Sequence, residues 1–459
     1  MTEGSIPRAL LAFSLPILFG NVLQSVNGTV NAVWVGKYLG EAAFAAVGNC
    51  NVVMFLLFGV LFGFSMASTV MVAQCMGARN LAEAKRVVGT SAVFFLGLSL
   101  TVGVVGWALS GRLLASLGTP SDALPFALAY MRIIFLAFPF MGGLFFLMAV
   151  LRGAGDSRTP FLYLCLSVVL DIGFNPVLIF GWGPFPRLGI AGSATATLIA
   201  QGTSFFALVA HLYRNRNPLR IGRRELHLFV VDWSLVRLLV TKGIPMGLQM
   251  FVVSSSMIML TSLVNRFGSV EIAAFNAAMQ LWNYVQMPAL AISSAVSSMA
   301  AQNVGARRWD RVGRVALTGV TFNFLLGGLV IAVLYLFNRA VLGLFLPADG
   351  ASLAIAMHVN AIVLWSFVFF GMSMVLFGVV RATGAVMPPL FMLIISLWCI
   401  RVPFAYLMVN NWEADAIWWS FPLASLTSLV MAGSYYRFGG WRRLRLGVAE
   451  ANADVVPSV

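Results

Sequence analysis

One carboxylate in this sequence lies where an ionisable side chain is costly. Asp171 stands about ten residues inside an apolar stretch near 161–181, and Asn175 follows it by four residues, on the same face of a helix. If the stretch crosses a bilayer, Asp171 is about 15 Å deep at 1.5 Å per residue. Burial disfavours the charged form of a carboxyl group, so this group could load and release protons. Ionisable groups at such depth are functional hypotheses by default.

A row of amide side chains forms a second candidate feature in the first apolar stretch. Its members are spaced by three, three and four residues, which places them on one face of a helix. Pro16 precedes the row and can kink that helix, so it is the predicted hinge. The row either lines a polar cavity or supplies hydrogen bonds that hold helices together. It consists of Asn21, Gln24, Asn27 and Asn31.

The buried charges also have structural interpretations. Asp171 could pair with Arg132 or with the amides of the first helix, in place of a functional role. Arg401, inside another apolar stretch, is predicted to be structural. The three histidines and the scattered acids offer no pair suited to catalysis, so the chain is not predicted to be an enzyme.

The amino-acid composition indicates the class of protein to which these groups belong. The chain has 459 residues, of which 60% are hydrophobic and 10% charged, with mean hydropathy +0.92. Soluble domains carry about 45–50% apolar and about 25% charged residues, so the chain is an all-α polytopic membrane protein in the lipid bilayer. Its net charge of +14 is explained by basic cytoplasmic loops and not by nucleic acid. The four cysteines have no metal-ligand spacing, so no metal site or cofactor is implied.

Apolar stretches long enough to cross a bilayer occur twelve times. The first is too long and polar for a signal peptide and is expected to remain as a helix. Most basic residues fall in one set of loops, which predicts cytoplasmic termini and a cytoplasmic central segment. The stretches lie near 9–35, 45–73, 87–109, 126–150, 161–181, 190–213, 243–265, 273–301, 315–338, 355–380, 389–410 and 417–436.

The two halves of the chain repeat each other at an offset of 228–229 residues. Pro16 recurs as Pro245, QCMGAR (74–79) as QNVGAR (302–307), and the Arg–Gly–Pro pattern that starts at Arg152 recurs from Arg381. Matches in three separate regions at one offset indicate duplication. Two six-helix lobes of the same orientation are typical of transporters that work by alternating access. The predicted organisation is an N-lobe at 1–213, a cytoplasmic linker at 214–242, a C-lobe at 243–436 and a basic tail at 437–459.

Several segments resemble the multidrug and toxic compound extrusion (MATE) family, in particular its DinF-like bacterial branch. The resemblance covers nearly the whole chain and implies twelve helices in two lobes. It also implies export of organic, often cationic, compounds driven by inward proton or sodium flow. The segments are SLPILFGNVLQ (14–24), VGKYLGEAAFAAVG (35–48), AQCMGAR (73–79), LRGAGDSRTP (151–160), NPVLIFGWGPFPRLGIAGSATAT (175–197), AAQNVGAR (300–307) and RATGAVMPP (381–389).

The chain differs from that branch in the positions of its membrane-embedded acidic residues. Many relatives carry Asp where this chain has Asn31, and Asn followed by Asp where it has Asp171 followed by Asn175. One carboxylate thus remains in the N-lobe where such relatives often have two. The stretch 243–256 has no acid, so coupling through the C-lobe is not expected. Alignment adds Tyr130 and Thr197 as N-lobe partners.

These observations predict a secondary-active exporter with Asp171 as the coupling carboxylate, assisted by Asn175 and Asn31. Protons are favoured over sodium, because one acid suffices for a proton switch whereas a sodium site needs several fixed oxygens. The cavity is expected to include Asn21, Gln24, Asn27, Tyr130 and Thr197. The expected setting is a bacterial inner membrane, with a monomer acting on small organic cations.

The sequence also bears on four other functions. A flippase of a lipid-linked precursor shares the two-lobe plan, but it would need a strongly cationic cavity, and the membrane-embedded arginines are few (Arg132 and Arg401). An exporter of one specific metabolite remains open. An intramembrane enzyme would need a catalytic pair, and a channel is less consistent with a duplicated two-lobe plan.

Overall fold

The structure, a computed structural model, describes residues 1–347 and 350–443. Within those ranges the chain is helical and has no β-strand, which confirms the all-α class. A π-helical segment, Ile395–Arg401, and short 3-10 turns interrupt the longer helices. The α-helices are α1 (Ile6–Leu39), α2 (Glu41–Gly77), α3 (Leu81–Ser116), α4 (Leu124–Ala154), α5 (Arg158–Phe180), α6 (Ile190–Arg214), α7 (Trp233–Val264), α8 (Ser269–Gly305), α9 (Trp309–Leu336), α10 (Asn338–Leu342), α11 (Ala351–Val363), α12 (Ser366–Arg381), α13 (Met387–Ile394), α14 (Val402–Trp412) and α15 (Asp415–Phe438).

The predicted spans correspond to twelve long helical segments of the described chain. Ten are long and apolar enough to cross a membrane, and α11 with α12 forms an eleventh that is bent by 44°. The twelfth, α8, has 37 residues and a more polar sequence. The predicted span at 389–410 is built from α13, the π-helical segment and α14.

The chain forms two compact units whose boundaries fall inside α1 and α7. The first unit is Phe19–Ile244, and the second is Met1–Leu18 together with Pro245–Val459. One boundary lies two residues after Pro16 and the other lies immediately before Pro245. The two helices are therefore divided near the prolines that correspond in the sequence repeat.

In the first unit α4 packs against α2, α3 and α6, and α5 packs along α6. The approach of α5 to α6 depends on Gly192. A β-carbon at that position would lie 2.5 Å from the carbonyl oxygen of Leu178, a distance that no side chain permits. The close approach places the polar residues of α5 and α6 opposite each other.

The second unit is organised around α8, α12 and α15. Its core includes the buried rings of Phe275, Trp282, Trp418 and Phe421. Its N-terminal residues are bound through their backbone: Arg311 Nη2 donates to the carbonyl oxygens of Glu3 (3.0 Å) and Gly4 (2.9 Å).

The central linker is shorter than the sequence suggests, because α7 begins at Trp233, ten residues before its predicted start. A 3-10 turn in the linker, Arg223–Leu228, is bound to the start of α3. Lys85 Nζ lies 2.7 Å from Glu225 Oε1, and Arg86 pairs with Asp232. The hydrogen bond from Lys85 lowers the pKa of Glu225. Of the predicted tail, residues 444–459 lie outside the described chain.

Candidate functional site

Asp171 lies at the centre of a hydrogen-bond network inside the first unit. The side chain is 3% exposed, and both of its oxygens accept hydrogen bonds. Asn27 Nδ2 and Asn31 Nδ2 donate to Oδ2 at 2.8 and 2.9 Å, and Thr197 Oγ1 donates to Oδ1 at 3.0 Å. The carboxylate of α5 thereby connects α1, through the two amides, with α6, through the hydroxyl.

Asn175 extends the network one helical turn along α5. Its Nδ2 donates to Asn31 Oδ1 at 2.6 Å, and its side chain is fully buried. Asn31 therefore donates to Asp171 and accepts from Asn175, so the orientation of its amide is determined by two neighbours. The predicted group Asp171, Asn175 and Asn31 is a single contiguous cluster.

The cluster contains hydrogen-bond acceptors that are not used. The Oδ1 atoms of Asn27 and Asn175 are buried and have no partner among the described residues. No basic side chain of the described chain forms a salt bridge with Asp171. The three donors stabilise the Asp171 carboxylate from two other helices.

Other predicted site residues lie outside the network. In the described chain, the side chains of Asn21, Gln24 and Tyr130 make no hydrogen bond to Asp171. Gln24 is exposed, and Tyr130 packs against a hydrophobic cluster of the first unit. The guanidinium of Arg132 stacks on Trp107 at 5.1 Å. Arg132 therefore does not pair with Asp171, whereas the amides of Asn27 and Asn31 in the first helix do contact it.

Comparison with known proteins identifies the family. A family model described as MatE matches residues 16–177 and again 245–407, once in each repeat. The chain belongs to the MATE family. The two matches begin at the corresponding prolines Pro16 and Pro245, which supports the duplication inferred from the sequence.

Individual MATE relatives match almost the full length. A protein named probable multidrug resistance protein YoeA, from Bacillus subtilis (strain 168), is 36% identical over 97% of this chain and 96% of its own. Probable multidrug resistance protein YpnP, from the same strain, is 30% identical over 97% and 98%. A solved structure of a multidrug resistance MATE family transporter in an outward-facing conformation has a TM-score of 0.86 at 21% identity, over 98% of both chains. The last likeness establishes the MATE fold, and the family is one of multi-pass membrane transporters for multidrug efflux.

The structure also shows polar residues of this MATE chain that sequence reasoning missed or left without a contact. Arg381 is buried in the second unit and donates through Nη1 to Gln249 Oε1 at 3.0 Å. The signal for Arg381 was its correspondence to Arg152 in the repeat, but Gln249 carries no such signal. Arg401, predicted to be structural, is buried, with 6% of its surface exposed. Its guanidinium packs on the ring of Phe421.

Proposed function

We propose that this MATE protein exports small organic compounds by secondary active transport, and that Asp171 couples export to inward proton flow. The observation that carries the proposal is the network around Asp171. A buried carboxylate is bound by donors from α1 and α6, without a basic partner in the described chain. Its charge is consequently free to change without breaking an ion pair.

Protonation of Asp171 would alter its contact with α1. The carboxylate oxygen Oδ2 accepts from Asn27 and from Asn31, and a protonated oxygen becomes a donor with less capacity to accept. At least one amide would then lose its partner, which weakens the link between α1 and α5. Because Pro16 interrupts the hydrogen bonding of α1 before this point, a proton on Asp171 favours movement of the rest of α1.

Sodium is the second candidate coupling ion, and a specific observation supports it. The buried Oδ1 atoms of Asn27 and Asn175 lack partners and belong to the same cluster as the Asp171 carboxylate. Amide and carboxylate oxygens are ligands that hard cations prefer. Three oxygen-bearing side chains could supply part of the coordination shell of a sodium ion. The experiment must therefore vary both protons and sodium.

We also propose the membrane in which the protein lies and the class of compound that it transports. The relatives are bacterial multidrug proteins, which supports a place in the bacterial inner (plasma) membrane. Cytoplasmic termini follow from the basic loops, and alternating access of the two repeats follows from the duplicated plan. We further propose that the protein acts as a monomer, without a cofactor, on organic cations.

Proton flux in everted membrane vesicles tests the coupling role. Ethidium is added to acidified vesicles that contain the wild type or Asp171→Asn, with and without sodium. We expect substrate-induced proton release in the wild type, independent of sodium, and a fall to background in the variant. Asp122→Asn is the matched control, because Asp122 is an exposed acid outside the helices.

Two results would contradict the proposal in different ways. A wild-type rate in Asp171→Asn, with normal expression and size-exclusion behaviour, would remove Asp171 from coupling. Ethidium release that requires sodium but still depends on Asp171 would keep the residue and change the ion.

A further inference from the structure

The second unit contains a buried arginine whose hydrogen-bonding capacity is almost unused. A guanidinium has five N–H donors and no acceptor. In the described chain, the contacts of the Arg401 guanidinium are the sulfur of Met257, 3.7 Å from Nη2, and the face of Phe421, whose ring centroid is 3.7 Å from Cζ. Its Nε is buried and has no partner. No carboxylate of the described residues forms a salt bridge with it.

Arg401 stands one residue beyond the position that corresponds to Asp171 in the sequence repeat. Asp171 lies eleven residues after Pro160, and Arg401 lies twelve residues after the corresponding Pro389. The extra residue falls within the π-helical segment Ile395–Arg401, since a π-helical turn accommodates one more residue than an α-helical turn. The second unit therefore has a basic group where the first has an acid.

The neighbouring helix supports the same correspondence. Asn27, which donates to Asp171, corresponds at the offset of 229 to Ser256 on α7. The Ser256 hydroxyl is buried and has no partner in the described chain, and the next residue, Met257, contacts Arg401. Two unsatisfied donor groups thus occur at the two positions that form the acid site of the other repeat.

We propose that Arg401, with Ser256 of α7 (the residue before its contact Met257), forms a binding site for a monovalent anionic group. Uncompensated charge is expensive away from water, and the sulfur and the ring supply only weak compensation. An arginine fork matches the two oxygens of a carboxylate. The ligand is a carboxylate on a transported compound or an inorganic anion such as chloride.

The inference rests on the proposed export function for the identity of its cargo, but binding can be measured without transport. The probes are rhodamine 110, which carries a free carboxylate, and rhodamine 123, its methyl ester. Fluorescence anisotropy follows their binding to the full-length protein in lipid nanodiscs, in gluconate buffer. We expect Arg401→Met to weaken binding of rhodamine 110 by about tenfold or more, since hydrogen bonds to charged groups are stronger than neutral ones, and to leave binding of rhodamine 123 unchanged.

Additional variants separate the site from general damage. Arg401→Lys retains the positive charge and should keep part of the preference for rhodamine 110. Arg132→Met removes an exposed arginine that stacks on Trp107 and should change neither affinity. Ser256→Ala should weaken rhodamine 110 binding less than Arg401→Met does.

A second arm distinguishes the two sources of the anion. Chloride replaces gluconate, and the melting temperature of the wild type is compared with that of Arg401→Met. An increase in the wild type alone identifies chloride as an occupant, because a ligand raises the stability of the state that binds it. Equal rhodamine 110 affinities in wild type and both Arg401 variants, together with equal chloride effects, would overturn the proposal. That result would leave export by the Asp171 site untouched.

Discussion

The two repeats bury an ionisable group at corresponding positions but surround it in opposite ways. In the first unit, Asp171 accepts hydrogen bonds from two amides and a hydroxyl. In the second unit, Arg401 meets a sulfur atom and an aromatic ring. One group is satisfied by the protein itself, whereas the other retains donors for a ligand.

This difference separates two tasks of a transporter. In the proposed mechanism, protonation would change the number of hydrogen bonds that Asp171 can accept, so the contact of α1 with α5 would respond to protons. An arginine side chain is not deprotonated in proteins, and the α7 residue that contacts Arg401 is Met257, which has no titratable group. The stretch 243–256 also has no acid. Proton control is thus expected in the first unit and charge recognition in the second.

The largest expected effect comes from moving the acid along α5. Asp171→Asn alone should reduce ethidium-driven proton release to background. The double variant Asp171→Asn, Asn175→Asp places the carboxylate one turn further, where Asn31 lies within reach of residue 175. We expect it to recover a fraction of the rate, since one amide donor of the network is still available. Everted vesicles and equal expression levels provide the measurement.

The single variant Asn175→Asp is the informative control for that experiment. It creates two acids on one face of α5, and like charges disfavour each other's ionised form. Because the second carboxylate disfavours ionisation of the first, proton release by this variant should shift to higher pH. Recovery by the double variant equal to the wild type would show that the position of the acid in α5 is unimportant, which contradicts the role assigned to the Asn27 contact.

The two prolines should have unequal effects although they correspond in the repeat. A proline removes a backbone hydrogen bond inside a helix, so Pro16→Ala and Pro245→Ala restore one each. α1 carries the donors to Asp171, so Pro16→Ala should slow proton-coupled ethidium efflux by a few-fold, and Pro245→Ala by less. Initial efflux rates at equal protein level measure the difference. A larger loss in Pro245→Ala would contradict the assignment of proton control to the first unit.

The sequence predicted the helical architecture and the residues around Asp171 better than it predicted the second unit. The spacing of Asn27 and Asn31 places both amides on one face of α1. The family resemblance then indicated that this face lies opposite Asp171. Asn21 and Gln24 share the same periodicity, but periodicity does not show how far along a helix its neighbour extends. Gln24 is exposed. The register of Arg401 depends on the π-helical segment, which no residue pattern in Ile395–Arg401 signals.

The smallest expected effect is on stability, and it compares the two sites directly. Asp171→Leu leaves the donors of Asn27 and Asn31 without their acceptor, and an unsatisfied buried group costs about 1–3 kcal/mol. Arg401→Met removes a charge that has no acid partner in the described chain, and because an uncompensated buried charge is costly, its removal is expected to be neutral or stabilising. In gluconate buffer we therefore expect the first variant to melt below the wild type and the second at or above it. Melting of the purified proteins by intrinsic fluorescence tests this order, and a larger loss in Arg401→Met would mean that the second unit satisfies its arginine internally.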